Sequence, residues 1–335
     1  MTEHGLSSPP TGLDLIRREQ ERQLGDSLST ANDPSLEALA LRMAQLMTRP
    51  GASLLLLGMG ASHHANSAAL AAYRACGITA FAMTLDEALS MPLPPSEARV
   101  NVIVSQSGGS GEIQSFLDTL GPDRPTTFGL SLNPDGYLAT QVPTLLAAGG
   151  PEVGFAATRS YLLTLVLHGL VVSALGGSRK LLLEALTPAD LIPDATVLGA
   201  VQSVVFAGSG GLAGLAAMAA LGSIELGRFP ALHFDLGQFR HGPLEILRPE
   251  VGVVLLCHGG KESYQEQTLT RLAEACSSAG SPLVSLVSPD RGDDPMSHLC
   301  RSIELSLPVQ HLILALATQR VNAVGEPLRS SKVTA

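Results

Sequence analysis

The chain contains the same pattern of apolar strand, glycine turn and helix twice. The run "SLLLLGMGA" at 53–61 corresponds to "SVVFAGSGG" at 203–211, an offset of 150 residues. The run "VNVIVSQSGGSGE" at 100–112 corresponds to "VGVVLLCHGGKES" at 251–263, an offset of 151 residues. Two landmarks with nearly equal offsets predict two copies of one structural unit.

The strand segments are short and almost uninterrupted in their apolar character, and they alternate with helical segments. Uninterrupted apolar strands are typical of parallel sheets covered by helices on both faces. The sequence therefore predicts an α/β fold with two tandem domains, each a doubly wound, flavodoxin-like parallel sheet flanked by helices. We expect a helical segment at 1–45, a first domain at 46–190, a second domain at 191–325 and a C-terminal tail at 326–335, with residues 1–12 as a mobile lead.

The overall charge and composition limit the partners of this chain. A net charge of −9 over 335 residues, without a basic stripe, argues against nucleic acid. No signal peptide is visible and no apolar run looks long enough to span a membrane. The four cysteines lack metal-ligand spacing. We expect a cytoplasmic protein that binds any anionic ligand through local dipoles.

The segment "SQSGGS" at 105–110 ends a predicted buried strand and begins a helix. Hydroxyls and free backbone amides at a helix N-terminus suit a phosphate, and parallel sheets bind ligands beyond the carboxyl ends of their strands. Ser62, after the first glycine turn, offers another hydroxyl. The alternatives are a plain Gly/Ser turn with Ser110 as helix N-cap, and Ser62 as an N-cap. The second copy has "CHGGKES" instead, so a phosphate site is expected in the first copy only.

Three residues farther along the chain could transfer protons or form a covalent bond. Glu225 is the only acid between Gly208 and Gly227, so desolvation should raise its pKa toward that of a general base. Its alternative role is an ion pair with Arg228. His241 precedes a Gly-Pro turn, where an imidazole could exchange protons with a ligand. Lys332 lies either in a disordered tail or at a site of imine formation.

Taken together, the motifs resemble those of the sugar isomerase (SIS) domain family, in particular the isomerase half of glutamine–fructose-6-phosphate aminotransferases. The resemblance is carried by "GMGASHHA", "SQSGGS", "ELGRFPALHFDLGQFRHGPLEIL" and "EPLRSSKVTA". It implies that the following residues contact the sugar phosphate: Ser62, Ser105, Gln106, Ser107 and Ser110. It implies that Glu225 moves a proton between C1 and C2, that His241 opens the sugar ring from the neighbouring subunit of a homodimer, and that Lys332 forms a Schiff base.

The chain also departs from the family pattern. Gly109 stands where relatives have an acid, and Gly222 stands where they have a lysine. The glutaminase half is expected to be absent, because Thr2 rather than a nucleophilic cysteine follows Met1. The resemblance implies a phosphosugar isomerase or amino-sugar-phosphate deaminase without metal or organic cofactor. Which sugar phosphate it uses, the direction of the reaction and the nitrogen source stay open. The alternatives are a non-catalytic phosphosugar sensor and a sugar-amine phosphate deglycase.

Overall fold

The computed structural model describes residues 9–94, 96–121, 126–187, 191–259 and 263–332, without the side chains of 263–265. The strands are β1 (Ser53–Gly58), β2 (Ala80–Thr84), β3 (Arg99–Val104), β4 (Thr127–Ser131), β5 (Thr144–Leu146), β6 (Ser203–Gly208), β7 (Ala231–Asp235), β8 (Val251–His258) and β9 (Leu283–Ser288). The helices are α1 (Gly12–Ala31), α2 (Glu37–Met47), α3 (Gly60–Ala75), α4 (Leu85–Ser90), α5 (Gly111–Thr119), α6 (Tyr137–Gln141), α7 (Arg159–Ala174), α8 (Arg179–Ala185), α9 (Gly211–Gly227), α10 (Leu236–Phe239), α11 (Ser263–Ala279) and α12 (Pro295–Thr318). Residues 1–8 of the predicted mobile lead lie outside the described residues.

The strands form two parallel sheets. The first has the order β2-β1-β3-β4-β5 and the second has the order β7-β6-β8-β9. The first four strands of each sheet therefore follow the same order, and β1 and β6 begin 150 residues apart, as the repeated sequence predicts. The predicted α/β class with two parallel sheets flanked by helices is confirmed.

Alternate strand residues point to opposite faces of each sheet. Leu54 of β1 and Val204 of β6 belong to one large apolar core that includes helices of both halves of the chain. Leu55 lies in a smaller core on the other face of the first sheet, and Val205 lies in its counterpart on the second sheet. Because both faces of the central strands β1, β3, β6 and β8 are buried, these strands contain few polar residues, and this is why they were recognisable in the sequence.

Helix α12 was not anticipated. By length and composition it could cross a membrane. The sequence did not reveal it as an apolar run of that length, because Arg301 and Glu304 interrupt its apolar residues. Within the structure, 78% of its most apolar window is buried, as in the core helix of a globular fold. It packs against α3, α7, α8 and α9 and so joins the two halves of the chain.

Candidate active site

A cavity of about 440 Å³ lies beyond the carboxyl ends of β1 and β3. Seven of the eight predicted site residues line this cavity: Ser62, Ser105, Gln106, Ser107, Ser110, Glu225 and Lys332. They come from four separate parts of the chain, namely the start of α3, the turn after β3, the last turns of α9 and the C-terminal tail. The fold therefore brings the predicted phosphate turn, the predicted base and the predicted amine to one place.

The turn after β3 is held by hydrogen bonds to its own serines. The Gly108 amide donates to Ser105 Oγ at 3.0 Å, and the Gly109 amide donates to Ser107 Oγ at 3.3 Å. Gly108 has a φ of +65°, which a glycine adopts without strain. Because these two hydroxyl oxygens accept bonds from within the turn, their protons are available to an acceptor in the cavity.

The capping alternatives for Ser110 and Ser62 are not realised. Ser110 occupies the N-cap position of α5, yet its side chain makes no capping hydrogen bond. Ser62 lies in the first turn of α3, whose N-cap is Met59. Both serines line the cavity instead.

Glu225 has the environment expected of a base that works near neutral pH. Burial raises the pKa of its carboxyl group to about 7, with Lys332 lowering it and Glu152 raising it further. The alternative ion pair with Arg228 does not form, because Arg228 donates to the backbone carbonyls of Ala323 and Glu326.

Glu152, which the sequence analysis missed, lies next to Lys332. The Lys332 Nζ atom is 3.0 Å from Glu152 Oε2 and also donates to the Phe155 carbonyl at 3.2 Å. Burial alone would raise the pKa of Glu152, but the Lys332 cation and hydrogen bonds from Ser160 and Thr158 hold that pKa below its ordinary value. Only one feature of the sequence could have indicated Glu152: it is the one acid in the Gly-rich segment "GGPEVGFAATRS" at 149–160.

Three further residues concern the predicted site: the predicted His241, the acid Glu112 and the glycine Gly222 that departs from the family pattern. His241 is exposed on the turn after α10 and is not among the residues that line the cavity, so a contribution from a second subunit stays a prediction. Glu112, in the first turn of α5, lines the cavity and was missed. Gly222 is buried, and a Cβ atom there would lie 3.4 Å from the Ile313 side chain of α12. Gly222 borders a separate, small apolar cavity.

The described residues contain no group of three His, Cys, Asp or Glu side chains that could hold a metal ion. The turn after β8, which corresponds to the phosphate turn in the second copy, falls partly on residues 260–262 and lies outside the described residues there. The prediction that this second turn binds no phosphate therefore stays a prediction.

No family model matches the chain. It is 29% identical over 205 residues to a glutamine–fructose-6-phosphate aminotransferase (isomerizing) of Gloeobacter violaceus, covering 54% of this chain and 33% of that protein. It is 26% identical over 277 residues to the enzyme of the same name from Pyrococcus horikoshii, covering 76% of this chain and 44% of that protein. The chain thus spans less than half the length of these curated relatives.

Solved structures share the fold over nearly the whole chain. The C-terminal domain of glucosamine-fructose-6-phosphate aminotransferase from Francisella tularensis superimposes with a TM-score of 0.75 and 16% identity, covering 98% of this chain and 100% of that one. Glucosamine-6-phosphate deaminase from Thermotoga maritima superimposes with a TM-score of 0.72 and 20% identity, covering 96% of this chain and 99% of that one. Tagatose-6-phosphate ketose/aldose isomerase from Escherichia coli superimposes with a TM-score of 0.71 and 20% identity, covering 93% of this chain and 95% of that one. The resemblance first indicated by the motifs is confirmed: the chain is similar in sequence to these aminotransferases and shares the fold of the solved phosphosugar enzymes.

Proposed function

We propose that this protein is a phosphosugar isomerase or amino-sugar-phosphate deaminase acting on a ketose or amino sugar 6-phosphate. One observation carries the proposal: a hydroxyl-rich turn, an acid with a pKa near 7 and a lysine line the same cavity of about 440 Å³. A cavity of this size suits a small polar ligand. The similar proteins, an aminotransferase, a deaminase and a ketose/aldose isomerase, support the same class of substrate.

The phosphate group would bind at the turn after β3. Ser105, Ser107 and Ser110 supply hydroxyl donors, and the amides of the first turn of α5 supply the positive end of the helix dipole. These donors replace the water around the phosphate without a cationic side chain in the turn. The sugar would then extend toward Glu225 and Lys332, on the other walls of the cavity.

The reaction would follow four steps. His241, supplied by the partner in a homodimer, would assist ring opening. The Lys332 amine would then add to the C2 carbonyl, and loss of water would give an imine. Ammonia would add at C2 and displace the lysine amine, which leaves the imine of the sugar itself, and deamination would run these steps in reverse. Glu225, as carboxylate, would remove the proton from C1 and return it to C2. Positioning and proton transfer by these side chains would supply the rate enhancement.

The two sheets would belong to two tandem SIS domains, at 46–190 and 191–325, preceded by a helical segment at 1–45. The shared strand order supports this division. The tail at 326–335 would complete the site, since Ser330, Ser331 and Lys332 line the cavity.

Borohydride trapping tests the proposal. Incubation with fructose 6-phosphate and borohydride should attach the sugar to Lys332, as peptide mass spectrometry would show. Lys332→Met should abolish this label, whereas Lys180→Met is a matched control because Lys180 is an exposed lysine on α8. In heavy water, Glu225→Gln should slow C1–C2 exchange about 100-fold or more while sugar phosphate still binds. Binding without trapping or exchange in the unaltered protein would identify a sensor and overturn the proposal.

A further inference from the structure

The buried carboxylate of Glu152 accepts hydrogen bonds from three residues. Its Oε1 atom accepts from the Thr158 amide and hydroxyl, both at 2.9 Å, and from the Ser160 amide at 3.3 Å. Its Oε2 atom accepts from the Ser160 hydroxyl at 2.5 Å and from Lys332 at 3.0 Å. Glu152 is 3% exposed. A carboxylate with so many donors is fixed in position, and it fixes in turn whatever cation it binds.

Lys332 is held by this one loop although it lies 180 residues farther along the chain. Glu152 and the Phe155 carbonyl take two of the three N–H donors of the ammonium group, which leaves one for the cavity. The residues from 319 to 332 form neither helix nor strand. The contacts with Glu152 and Phe155 therefore anchor the end of an irregular segment.

We propose that Glu152 is a positioning residue, which docks the C-terminal tail through Lys332 and balances the lysine charge beside Glu225. The inference rests on the proposed function for its catalytic meaning, since only an enzyme that uses Lys332 and Glu225 needs this arrangement. The docking itself is independent of any reaction. Glu152 does not line the cavity, so it acts through Lys332 rather than on the substrate.

The charges around Lys332 explain why this balance matters. Burial raises the pKa of Glu225, the Lys332 cation lowers it, and the Glu152 carboxylate raises it. Glu112 of α5 faces the same cavity, and the Glu19–Arg159 ion pair lies behind the loop, where Glu19 accepts from the Val153 amide. Without the charge of Glu152, the lysine cation would act on Glu225 uncompensated, and the pKa of Glu225 would fall.

The first test is the pH profile of C1–C2 exchange. The exchange rate should rise with pH as Glu225 becomes a carboxylate, and we call this part of the profile the rising limb. Glu152→Gln removes a negative charge and so lowers the pKa of Glu225, which should move the rising limb about one pH unit lower. Glu152→Asp keeps the charge and should keep the limb near its original position, which also covers a failure of the Gln variant to fold. Glu304→Gln is a matched control, because Glu304 is a similarly buried acid paired with Arg291 and lies outside the cavity. An unmoved limb in Glu152→Gln, or an equal shift in the Glu304 control, would overturn the electrostatic role.

The second test needs no activity. Trypsin should release the peptide after the exposed Arg329 about ten times faster in Glu152→Gln than in the unaltered protein, because the tail is undocked. Lys332→Met should give the same acceleration, and the double variant should be no faster than either single variant. Equal cleavage in all proteins would refute the docking. If the unaltered protein fails to trap fructose 6-phosphate but these cleavage results hold, the proposed function fails and the docking stands.

Discussion

The backbone of Gly214 in α9 lies against the backbone of Ala68 in α3, so that a Cβ atom on Gly214 would be 2.4 Å from the Ala68 amide nitrogen. These two helices carry the residues that the site needs from different halves of the chain, with Ser62 on α3 and Glu225 on α9. Their close packing therefore sets the distance between Ser62 and the candidate base Glu225.

We predict that Gly214→Ala destabilises the protein by about 3 kcal/mol, because the new methyl group meets backbone atoms that cannot move independently. The matched control is Gly25→Ala on the exposed face of α1, where nothing lies within 4 Å of the added Cβ. That change should stabilise the fold by about 0.5–1 kcal/mol, since alanine favours helices. Urea unfolding of both variants gives the comparison. Equal effects would mean that the α3–α9 contact can relax.

For Ser110, the structure separates a capping role from a binding role. Ser110→Ala should leave the free energy of unfolding within about 0.5 kcal/mol, because no capping bond is lost, whereas a capping serine would cost about 1 kcal/mol. Affinity for a sugar phosphate should fall roughly tenfold through the loss of a hydrogen bond to a charged group. Ser115→Ala, one turn along α5, should change neither quantity. A destabilised variant with unchanged affinity would make Ser110 a cap.

Glu112 places a negative charge in the wall of a cavity that would bind a phosphate. Its location in the first turn of α5 is favourable for the helix dipole but unfavourable for an anionic ligand. Glu112→Gln should therefore bind sugar phosphate a few times more tightly, most clearly at low salt. Asp118→Asn makes the same charge change at the other end of the helix, where the side chain is exposed, and should have no effect in calorimetric titration. Weaker binding by Glu112→Gln would show that the carboxylate contacts the ligand as an acceptor.

The sequence predicted those parts of the fold that depend on local patterns. The central strands β1, β3, β6 and β8 are buried on both faces, and the serine turn directly follows one of them. Glu152 could not be found in this way, because what makes it relevant is an ion pair with a lysine 180 residues away. Helix α12 was missed because polar residues interrupt its apolar run, while its partner helices come from both halves of the chain.

The raised pKa of Glu225 gives a pH-dependent contribution to stability. Its folded-state pKa of about 7 lies above the ordinary value of 4.5, because burial disfavours the charged form. The raised pKa therefore leaves the free energy of unfolding unchanged below about pH 4.5. It lowers that free energy as the pH rises from 4.5 through 7. Glu225→Gln should match the unaltered protein near pH 4.5 and exceed it by up to about 3 kcal/mol at pH 8. Urea unfolding at both pH values measures this difference, and a constant difference would place Glu225 in a solvated environment.

The proposed contribution of His241 from a partner subunit can be tested by mixing two inactive variants. If His241 acts across a dimer interface, a subunit with His241→Ala and one with Lys332→Met together form one intact and one doubly defective site. Random exchange makes half of the dimers mixed, so an equal mixture should regain roughly a quarter of the original activity. If His241 acted within its own chain, every site in the mixed dimer would lack one group. The mixture would then stay as inactive as each variant alone, and this outcome would exclude the shared site.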